Sequence, residues 1–543
     1  MPEGDELDRK WDAVVIGTGV GGATLGYALA GRGMRVLFCD KGRSSLSGAG
    51  ALRGAYPEES FPRPAAPPGA QRDTLAAAGR CTDEWFEHGA TRSTRFVPFV
   101  GNGTGGSSAL YGMALERFFP ADFAPGSATR IPAESSRPAT WPIGYDEIAP
   151  YYAAAEALYR VRGVGDPLRN GERMGYVAEP PTASATAREL TRHFITNGFH
   201  PYRLPVACEV VPGCTACQGY LCARDCKNDS ARVCLAPAVA RHGAVVLDEC
   251  EVLALDADAS RVNAAICRRH GRTLRLRSDL FVLAAGALET PRILLRSACG
   301  DWPRGLANGS GLVGRNLMRH LVDLWLVFTG AASEAGDYTK EIAFNDLYER
   351  NEPRLGSVQS FGRLPPARVL VSDLVQDARD GAFPPLAPLL AALRPLLEPA
   401  LRRMFARGVL LATIVEDLPY PDNGVLFDAA APFGAPRLEY RMRAFERRKV
   451  ALMRDRMKAL LKPYRHRLLK QAENNHRLAH ACGTCRFGAD PRTSVLDPNN
   501  RAHGLANLLV VDGSFFPSSG GTNPALTIAA NALRVAERLA GPA

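Results

Sequence analysis

The chain has 543 residues, of which 46% are hydrophobic and 22% charged, and it contains 52 glycines and 40 prolines. This length predicts several domain-sized units, and the composition is that of a globular protein with many tight loops rather than a disordered chain. The net charge of +10 is spread along the sequence instead of being clustered, which argues against a nucleic-acid partner.

The first elements predict a dinucleotide-binding unit. An apolar run over 13–16 indicates a strand, a helical pattern follows over 21–31, and a second apolar run covers 35–39. A G-x-G-x-x-G motif joins the first strand to the helix, and an acid closes the second strand: Gly17, Gly19, Gly22 and Asp40. These glycines permit a tight turn and a close approach to a pyrophosphate, while the acid suits ribose hydroxyls. The loop alone does not distinguish NAD from FAD.

Irregular structure is expected next. Residues 43–80 are rich in Gly, Pro, Ala and Ser without periodicity, which is typical of a loop, and a glycine-dense segment covers 101–113. A helix is predicted over 148–159, after a Pro-Ile-Gly turn.

Four cysteines follow in a C-x2-C-x4-C-x3-C pattern: Cys214, Cys217, Cys222 and Cys226. Such spacing suits thiolate ligation of iron–sulfur or zinc, although unligated thiols or local disulfides give the same pattern. We expect Cys208, Cys234, Cys482 and Cys485 to be packing residues.

Three strands are predicted over 245–255, 262–268 and 273–283, followed by a helix over 291–297 and mixed structure over 320–475. Within this region the apolar segment Phe383–Leu411 is interrupted by prolines and arginines, so it does not reach the roughly 20 apolar residues of a membrane span. Three interpretations of this segment stay open: a lid over a substrate, a membrane-surface contact, or part of the core of the substrate domain. With no apolar signal near the polar N-terminus, we expect a cytoplasmic protein without integral membrane association.

Several longer segments resemble one enzyme family, the glucose-methanol-choline (GMC) oxidoreductases. The matching stretches are Trp141–Tyr152, Ala285–Leu295, Leu312–Met318, His480–Gly488, Asp512–Pro517 and Asn523–Pro524. The resemblance implies an α/β fold: a Rossmann-like FAD-binding domain built from discontinuous segments, and an α+β substrate domain with an antiparallel sheet. We expect the FAD-binding domain at 1–160, 225–320 and 476–543, a Cys-rich connection and part of the substrate domain at 161–224, and the substrate-binding domain at 321–475.

The resemblance also implies the residues that hold FAD. Beyond the first glycine motif they are Gly105, Gly106, Ser108, Val252, Asp512, Gly513 and Asn523. Leu110 stands where some members carry a His covalently linked to the flavin, so non-covalent FAD is expected. In some GMC sugar dehydrogenases a similar Cys-rich loop holds an iron–sulfur cluster.

For catalysis, the family pattern places His480 as the general base and Asn523 as its partner. A neutral imidazole suits removal of a hydroxyl proton while hydride leaves for the flavin. The expected reaction is oxidation of a small-molecule alcohol, a sugar-like or aminoglycoside hydroxyl, with oxygen or another electron acceptor. Two alternatives stay open: a dehydrogenase passing electrons through a cluster to a quinone or cytochrome, and a non-catalytic flavin-binding scaffold.

Overall fold

The protein is described from a computed structural model. It describes residues 9–539 apart from 47–49, 62–68, 90–92, 125–130, 215, 332–339, 351–352, 363–364, 381–383, 406–407, 471 and 475–479.

The strands of these residues are β1 (Trp11–Ile16), β2 (Val36–Cys39), β3 (Trp85–His88), β4 (Ser93–Phe96), β5 (Tyr202–Arg203), β6 (Val245–Leu247), β7 (Cys250–Ala257), β8 (Val262–Arg269), β9 (Arg272–Leu276), β10 (Ser278–Leu283), β11 (Leu321–Phe328), β12 (Ile342–Phe344), β13 (Gly356–Ser360), β14 (Val409–Val415), β15 (Gly424–Leu426), β16 (Arg437–Glu439), β17 (Arg465–Lys470) and β18 (Leu508–Val510). The helices are α1 (Val20–Ala30), α2 (Ala70–Ala77), α3 (Pro120–Phe123), α4 (Tyr145–Leu158), α5 (Ala185–Thr196), α6 (Ala236–His242), α7 (Gly286–Arg296), α8 (Asp346–Glu349), α9 (Ala367–Asp380), α10 (Leu386–Ala392), α11 (Arg394–Phe405), α12 (Ala444–Leu460) and α13 (Ala525–Leu539).

A five-stranded parallel sheet in the order β18-β10-β1-β2-β6 gathers segments from both ends of the chain. Helix α1 packs tightly on it because glycines face the sheet; a methyl group at Gly26 would lie 2.4 Å from the Phe38 ring. Consecutive buried residues of β1, such as Val14 and Val15, give the sheet two covered faces, as expected for parallel strands. This is the predicted Rossmann-like sheet built from separate segments.

A six-stranded antiparallel sheet, β17-β11-β14-β13-β12-β5, forms the second layer. Alternation along β11 sends Leu321 and Trp325 into a core shared with α5 and α12. Val322 and Leu324 point to the opposite face, where they line a cavity. The predicted antiparallel sheet is therefore present, and one of its faces is free to receive a ligand.

Three local predictions need correction. The segment predicted as loop contains helix α2, whose residues are all at least partly exposed, so tertiary contacts and not apolar periodicity hold it. The predicted strand over 245–255 is two strands, because the chain leaves the parallel sheet at Leu247 and turns at Glu249, with φ 49°, into the separate sheet β7-β8-β9. The predicted strand over 273–283 divides likewise into β9 and β10.

Candidate active site

A cavity of about 590 Å³ lies between the five-stranded parallel sheet and the six-stranded antiparallel sheet. At one end it is lined by the loops that follow β1, β2 and β10, at the carboxyl edge of the parallel sheet. At the other end it reaches β11, β13 and β14. Ligands of open α/β sheets bind outside the carboxyl ends of the strands, so the position suits an extended dinucleotide with a substrate beyond it.

The first glycine loop is shaped by close backbone packing. Gly17 has φ +97°, and a methyl group there would lie 2.3 Å from the carbonyl oxygen of Ala284. A methyl group at Gly22 would lie 2.1 Å from the Gly17 carbonyl oxygen. At Gly19 a methyl group would meet nothing within 4 Å, because this residue faces the cavity. The loop thus leaves room for a bound group at the position where the motif predicts it.

Asp40 braces this loop at the end of β2. Its carboxylate accepts hydrogen bonds from the Thr18 hydroxyl at 2.6 Å, the Thr18 amide at 3.2 Å and the Gly42 amide at 3.1 Å. Burial raises the pKa of Asp40, although these donors oppose the shift. A carboxylate offers about four acceptor positions, so Asp40, which lines the cavity, retains capacity for a ribose hydroxyl.

The second glycine loop lies against the first. Gly105 has φ +88° and its amide donates to the Thr18 hydroxyl at 3.1 Å, while Gly106 is close enough for a methyl group to lie 3.0 Å from Gly19 Cα. Ser108 donates to the Gly105 carbonyl at 2.7 Å. Gly106 and Ser108 line the cavity, so the two loops together form one glycine cradle.

The remaining predicted cofactor residues occupy two positions. Val252 on β7 and Gly513 line the cavity. Asp512 lies behind the wall, where its carboxylate accepts from the Gly286 amide at 2.9 Å and from the Thr290 hydroxyl. Asp512 therefore holds the first turn of α7 and the Gly513 loop in place.

His480 and His320 are joined through their Nδ1 atoms, which lie 2.8 Å apart with ring planes at 82°. Nε2 of His320 lies 3.1 Å from the Ser519 carbonyl oxygen and 3.0 Å from that of Gly520. Carbonyl oxygens only accept, so this Nε2 carries a proton. Burial lowers the pKa of His320 to about 4, so its ring is neutral and its Nδ1 accepts. His480 must then donate from Nδ1, which leaves its Nε2 unprotonated.

His480 lies on the cavity wall in a strained conformation, with φ 67°. A left-handed non-glycine residue costs about 1–3 kcal/mol, and such strain concentrates at functional sites. Burial, assisted by the nearby Lys340 ammonium, lowers the pKa of His480 well below 6.5. The imidazole is consequently neutral near pH 7 and able to accept a proton.

Asn523 lies directly before α13 and also lines the cavity. Its side chain is buried, and its Oδ1 has no hydrogen-bond partner among the residues that the structure describes. A buried amide oxygen without a partner is costly, so its position on the wall suits a hydroxyl or amide group of a ligand. The structure thus brings His480 and Asn523 to one cavity.

The Cys-rich loop gathers more sulfur atoms than its spacing predicts. The Sγ atoms of Cys208 and Cys214 are 3.7 Å apart, and Cys226 lies 3.6 Å from both Cys214 and Cys222. Cys217 adjoins Cys222, with which it shares a hydrogen bond. Cys208, predicted to be a packing residue, is therefore part of this cluster. Cys234, Cys482 and Cys485 are buried as predicted.

The backbone of this loop is arranged around the sulfurs. The amides of Val210 and Ala216 donate to the thiols two residues before them, at 3.4 and 3.5 Å, and both residues have left-handed φ, 48° and 50°. Hydrogen bonds from Cys208 and Cys226 lower the pKa of the Cys214 thiol. Four thiolates about 2.3 Å from one tetrahedral ion would lie about 3.8 Å apart, so these separations fit soft-metal ligation.

Buried Lys227 joins the cysteine loop to the cavity. Its ammonium donates to the carbonyl oxygens of Ala109 at 2.7 Å and Tyr220 at 2.9 Å. Tyr111 and Met113 pack against the sulfur cluster and also line the cavity. One layer of side chains therefore separates the cysteines from the cavity.

Sequence reasoning missed several site residues. His320 stands two residues after the Leu312–Met318 match, so its position in the sequence was a signal that it belongs to the site. Lys340, Gln218 and Gln359 also line the cavity. They carry no local motif, and only the fold brings them together.

The apolar segment whose role was left open contributes to the cavity wall. Helices α9, α10 and α11 share a small core of Val371, Val375 and Ala387, and Leu374 and Met404 line the cavity. Residues 383, 406 and 407 of this segment lie outside the described residues. Among the helices that the structure describes, none has the length and apolar character needed to cross a membrane.

Fold and cavity together are those of a dinucleotide-binding α/β protein. Two GMC oxidoreductase family models match the sequence, one over residues 11–322 and the other over 419–532. The chain therefore belongs to the GMC oxidoreductase family, flavoprotein enzymes that oxidise CH–OH groups.

Similar proteins extend over nearly the whole chain. It is 30% identical to paromamine 6'-oxidase of Streptomyces fradiae, with 98% of this chain and 92% of the relative covered. It is also 30% identical to 6'''-hydroxyparomomycin C oxidase of Streptomyces lividus, with the same two coverages. Among solved structures, pyridoxine 4-oxidase from Mesorbium loti matches with a TM-score of 0.63 at 20% identity, covering 97% of this chain and 99% of that one. The last likeness concerns the fold.

Proposed function

We propose that the protein oxidises an alcohol to an aldehyde or ketone with non-covalently held FAD, and that His480 is the general base. The observation that carries this proposal is the hydrogen bond from His480 to His320. It sets the tautomer in which Nε2 of His480 is free to take the hydroxyl proton. Asn523 presents an unpartnered amide oxygen on the same wall, suited to orienting the substrate.

FAD would occupy the glycine cradle. Gly17, Gly19, Gly22, Gly105 and Gly106 allow the backbone to approach its pyrophosphate, and Asp40, Ser108, Val252 and Gly513 complete the wall, with Asp512 behind it. Leu110, buried at the second loop, offers no nucleophile for a covalent link. When bound, FAD supplies the hydride acceptor.

The residues of this chain then have separate tasks. The substrate hydroxyl lies between His480 and Asn523, and its proton moves to Nε2 of His480. His320 keeps the imidazole oriented, and the apolar walls of the cavity exclude water. On this proposal the cofactor is held by 1–160, 225–320 and 476–543. Residues 161–224 form a Cys-rich connection and part of the substrate domain, and 321–475 bind the substrate.

For the substrate we propose a sugar-like or aminoglycoside hydroxyl, in secondary metabolism. Support comes from the two Streptomyces relatives, named as oxidases of paromamine and of a hydroxyparomomycin. Oxygen or another compound serves as the electron acceptor.

A second proposal concerns the cysteine cluster. The sulfur separations favour a thiolate-ligated metal centre at Cys208, Cys214 and Cys226, whose sulfurs lie within 4.8 Å of one another. Cys222, 3.6 Å from Cys226, and Cys217 beside it complete the proposed set. As an iron–sulfur centre it would accept electrons for a quinone or cytochrome; as a zinc site it would be structural. Iron, sulfide and zinc analysis, together with rates for oxygen against quinone analogues, separates these roles.

The test of the main proposal is anaerobic mixing of the FAD-loaded enzyme with sugars, aminoglycosides, sterols and simple alcohols. At least one class should bleach the flavin absorbance, and His480→Gln should bind FAD normally while losing bleaching by about 100-fold or more. A wild-type flavin that no alcohol bleaches would instead support a non-catalytic scaffold. Undiminished bleaching by the variant would remove His480 from the role of base.

A further inference from the structure

The half of the cavity beyond the glycine cradle has a wall of unusual composition for a site that acts on sugar-like molecules. Its outer part is formed by α9 and α11, which contribute Leu370, Leu374, Leu401 and Met404. Strands β11 and β14 add further aliphatic side chains, including Val322 and Ile414. This surface offers contact to apolar atoms and no hydrogen bonds.

Charge in this half is positive. Lys340 lies on the wall and is buried at 4% exposure; burial lowers its pKa to about 8, with Glu116 opposing the shift. Glu116 lies behind the wall and does not line the cavity, and burial raises its pKa. The acidic side chains found on the described cavity wall, Asp40, Glu251 and Glu289, cluster around Lys41 at the opposite end.

The polar groups near Lys340 suit neutral partners. A methyl group at Gly112 would lie 2.7 Å from Lys340 Nζ and 2.8 Å from Gln218 Oε1, so both side chains cover the second glycine loop. The Oε1 atoms of Gln218 and Gln359 have no hydrogen-bond partner among the described residues. Hydroxyl and amide groups satisfy such oxygens without bringing a second charge beside Lys340.

We infer that, among the sugar-like and aminoglycoside alcohols proposed above, the substrate is a neutral one carrying an apolar alkyl, acyl or aryl substituent, and not a free polyamine. This inference rests on the proposed alcohol oxidation and specifies its substrate class. The reacting hydroxyl lies at His480 and Asn523, neighbouring hydroxyl or amide groups meet Gln218, Gln359 and Lys340, and the apolar substituent lies against α9 and α11.

A free polyamine is excluded by the same wall. Its ammonium groups would lose hydration inside the cavity, and none of the described side chains that line the substrate half is a carboxylate able to replace that hydration. Repulsion from Lys340 adds to this cost, since charges interact strongly where water is excluded. Acylation of the amines removes both penalties and adds apolar contact.

Two matched pairs of compounds test the inference: octyl glucoside against methyl glucoside, and N-acetylated paromamine against free paromamine. Anaerobic flavin bleaching gives the rate constants, and calorimetric titration of the FAD-loaded His480→Gln variant gives binding without turnover. The octyl and N-acetylated members should each bind and react at least about tenfold better than their partners. Equal or better binding of methyl glucoside or free paromamine would overturn the inference.

Substitutions in the cavity wall show which side chains cause the substrate selectivity. Leu374→Gln should weaken octyl glucoside binding several-fold while methyl glucoside is unaffected, and Lys340→Met should narrow the difference between acetylated and free paromamine. Leu396→Gln is the matched control, since Leu396 on α11 is 71% exposed and does not line the cavity. Unchanged selectivity in both wall variants would contradict the assignment.

The two proposals fail differently. If free paromamine is the preferred substrate, alcohol oxidation stands and the substrate class proposed here is wrong. If the neutral apolar compounds bind selectively but bleach no flavin, the substrate class stands and the proposed oxidation is wrong.

Discussion

His480 donates a hydrogen bond from Nδ1 to Nδ1 of His320 across 2.8 Å. His320 in turn donates from Nε2 to the carbonyl oxygens of Ser519 and Gly520, in the segment that leads to Asn523. His480 and Asn523 are therefore tied to one piece of backbone. This chain of donors fixes which imidazole nitrogen is available to substrate.

Removal of the hydrogen bond between His480 and His320 should slow proton transfer to His480 without abolishing it. In His320→Leu, Nδ1 of His480 loses its acceptor, so the ring populates the wrong tautomer and orientation, and we expect kcat/KM to fall by about tenfold to 1,000-fold. His320→Asn keeps an acceptor near the same position and should recover part of the loss. Steady-state kinetics as a function of pH measures both. Equal activity of the Leu variant and the wild type would refute a positioning role for His320.

Stability should fall at acid pH because His320 is buried and neutral. Its pKa is about 4 when folded, against an ordinary 6.5, so the unfolded chain binds the extra proton. The stabilisation is complete above pH 6.5 and is lost as the pH falls towards 4, amounting to about 3 kcal/mol. Urea unfolding at pH 7.5 and 4.5 measures how much free energy of unfolding is lost on acidification. This loss should be about 2–3 kcal/mol smaller in His320→Asn than in the wild type. His242→Asn, at an exposed residue ending α6, should leave the pH dependence unchanged.

Substitutions at two glycines of the first motif should affect folding and cofactor binding separately. Gly22→Ala places a methyl group 2.1 Å from the Gly17 carbonyl oxygen, so it should lower the melting temperature of the apoprotein. Gly19→Ala meets no protein atom within 4 Å, so the apoprotein should remain stable while FAD affinity falls by about tenfold or more. Gly144→Ala, also free of contacts within 4 Å and away from the cavity, should change neither property. Normal FAD affinity of Gly19→Ala would contradict the assignment of the cradle.

The cysteine cluster should copurify with metal. Cys226 touches both Cys214 and Cys222, so Cys226→Ser should reduce bound iron or zinc to background in elemental analysis. Cys299→Ser, at a half-buried cysteine outside the cluster, should retain the wild-type content. Metal-free wild-type protein in which a thiol reagent titrates all five cluster cysteines would disprove ligation.

Much of the fold was predictable because its signals are local. The strand, G-x-G-x-x-G loop and helix around Gly17 are contiguous, and each needs only its own neighbours to be recognised. Boundaries were less accurate at Leu247 and Leu276, where one continuous apolar pattern passes from one sheet to another. A period-two pattern records which side chains are apolar, but it does not record which strand they will pair with.

By itself the sequence determined the family, the dinucleotide loop, the candidate pair His480 and Asn523, and the thiolate-like spacing of four cysteines. Only the tertiary structure decided that His320 sets the tautomer of His480, that Cys208 joins the sulfur cluster, and that Lys340 lies on the cavity wall. Motifs encode contacts between residues a few positions apart. The partners of His480 and Lys340 lie on segments separated by more than 100 residues, and only the packing of two sheets across one cavity brings them together.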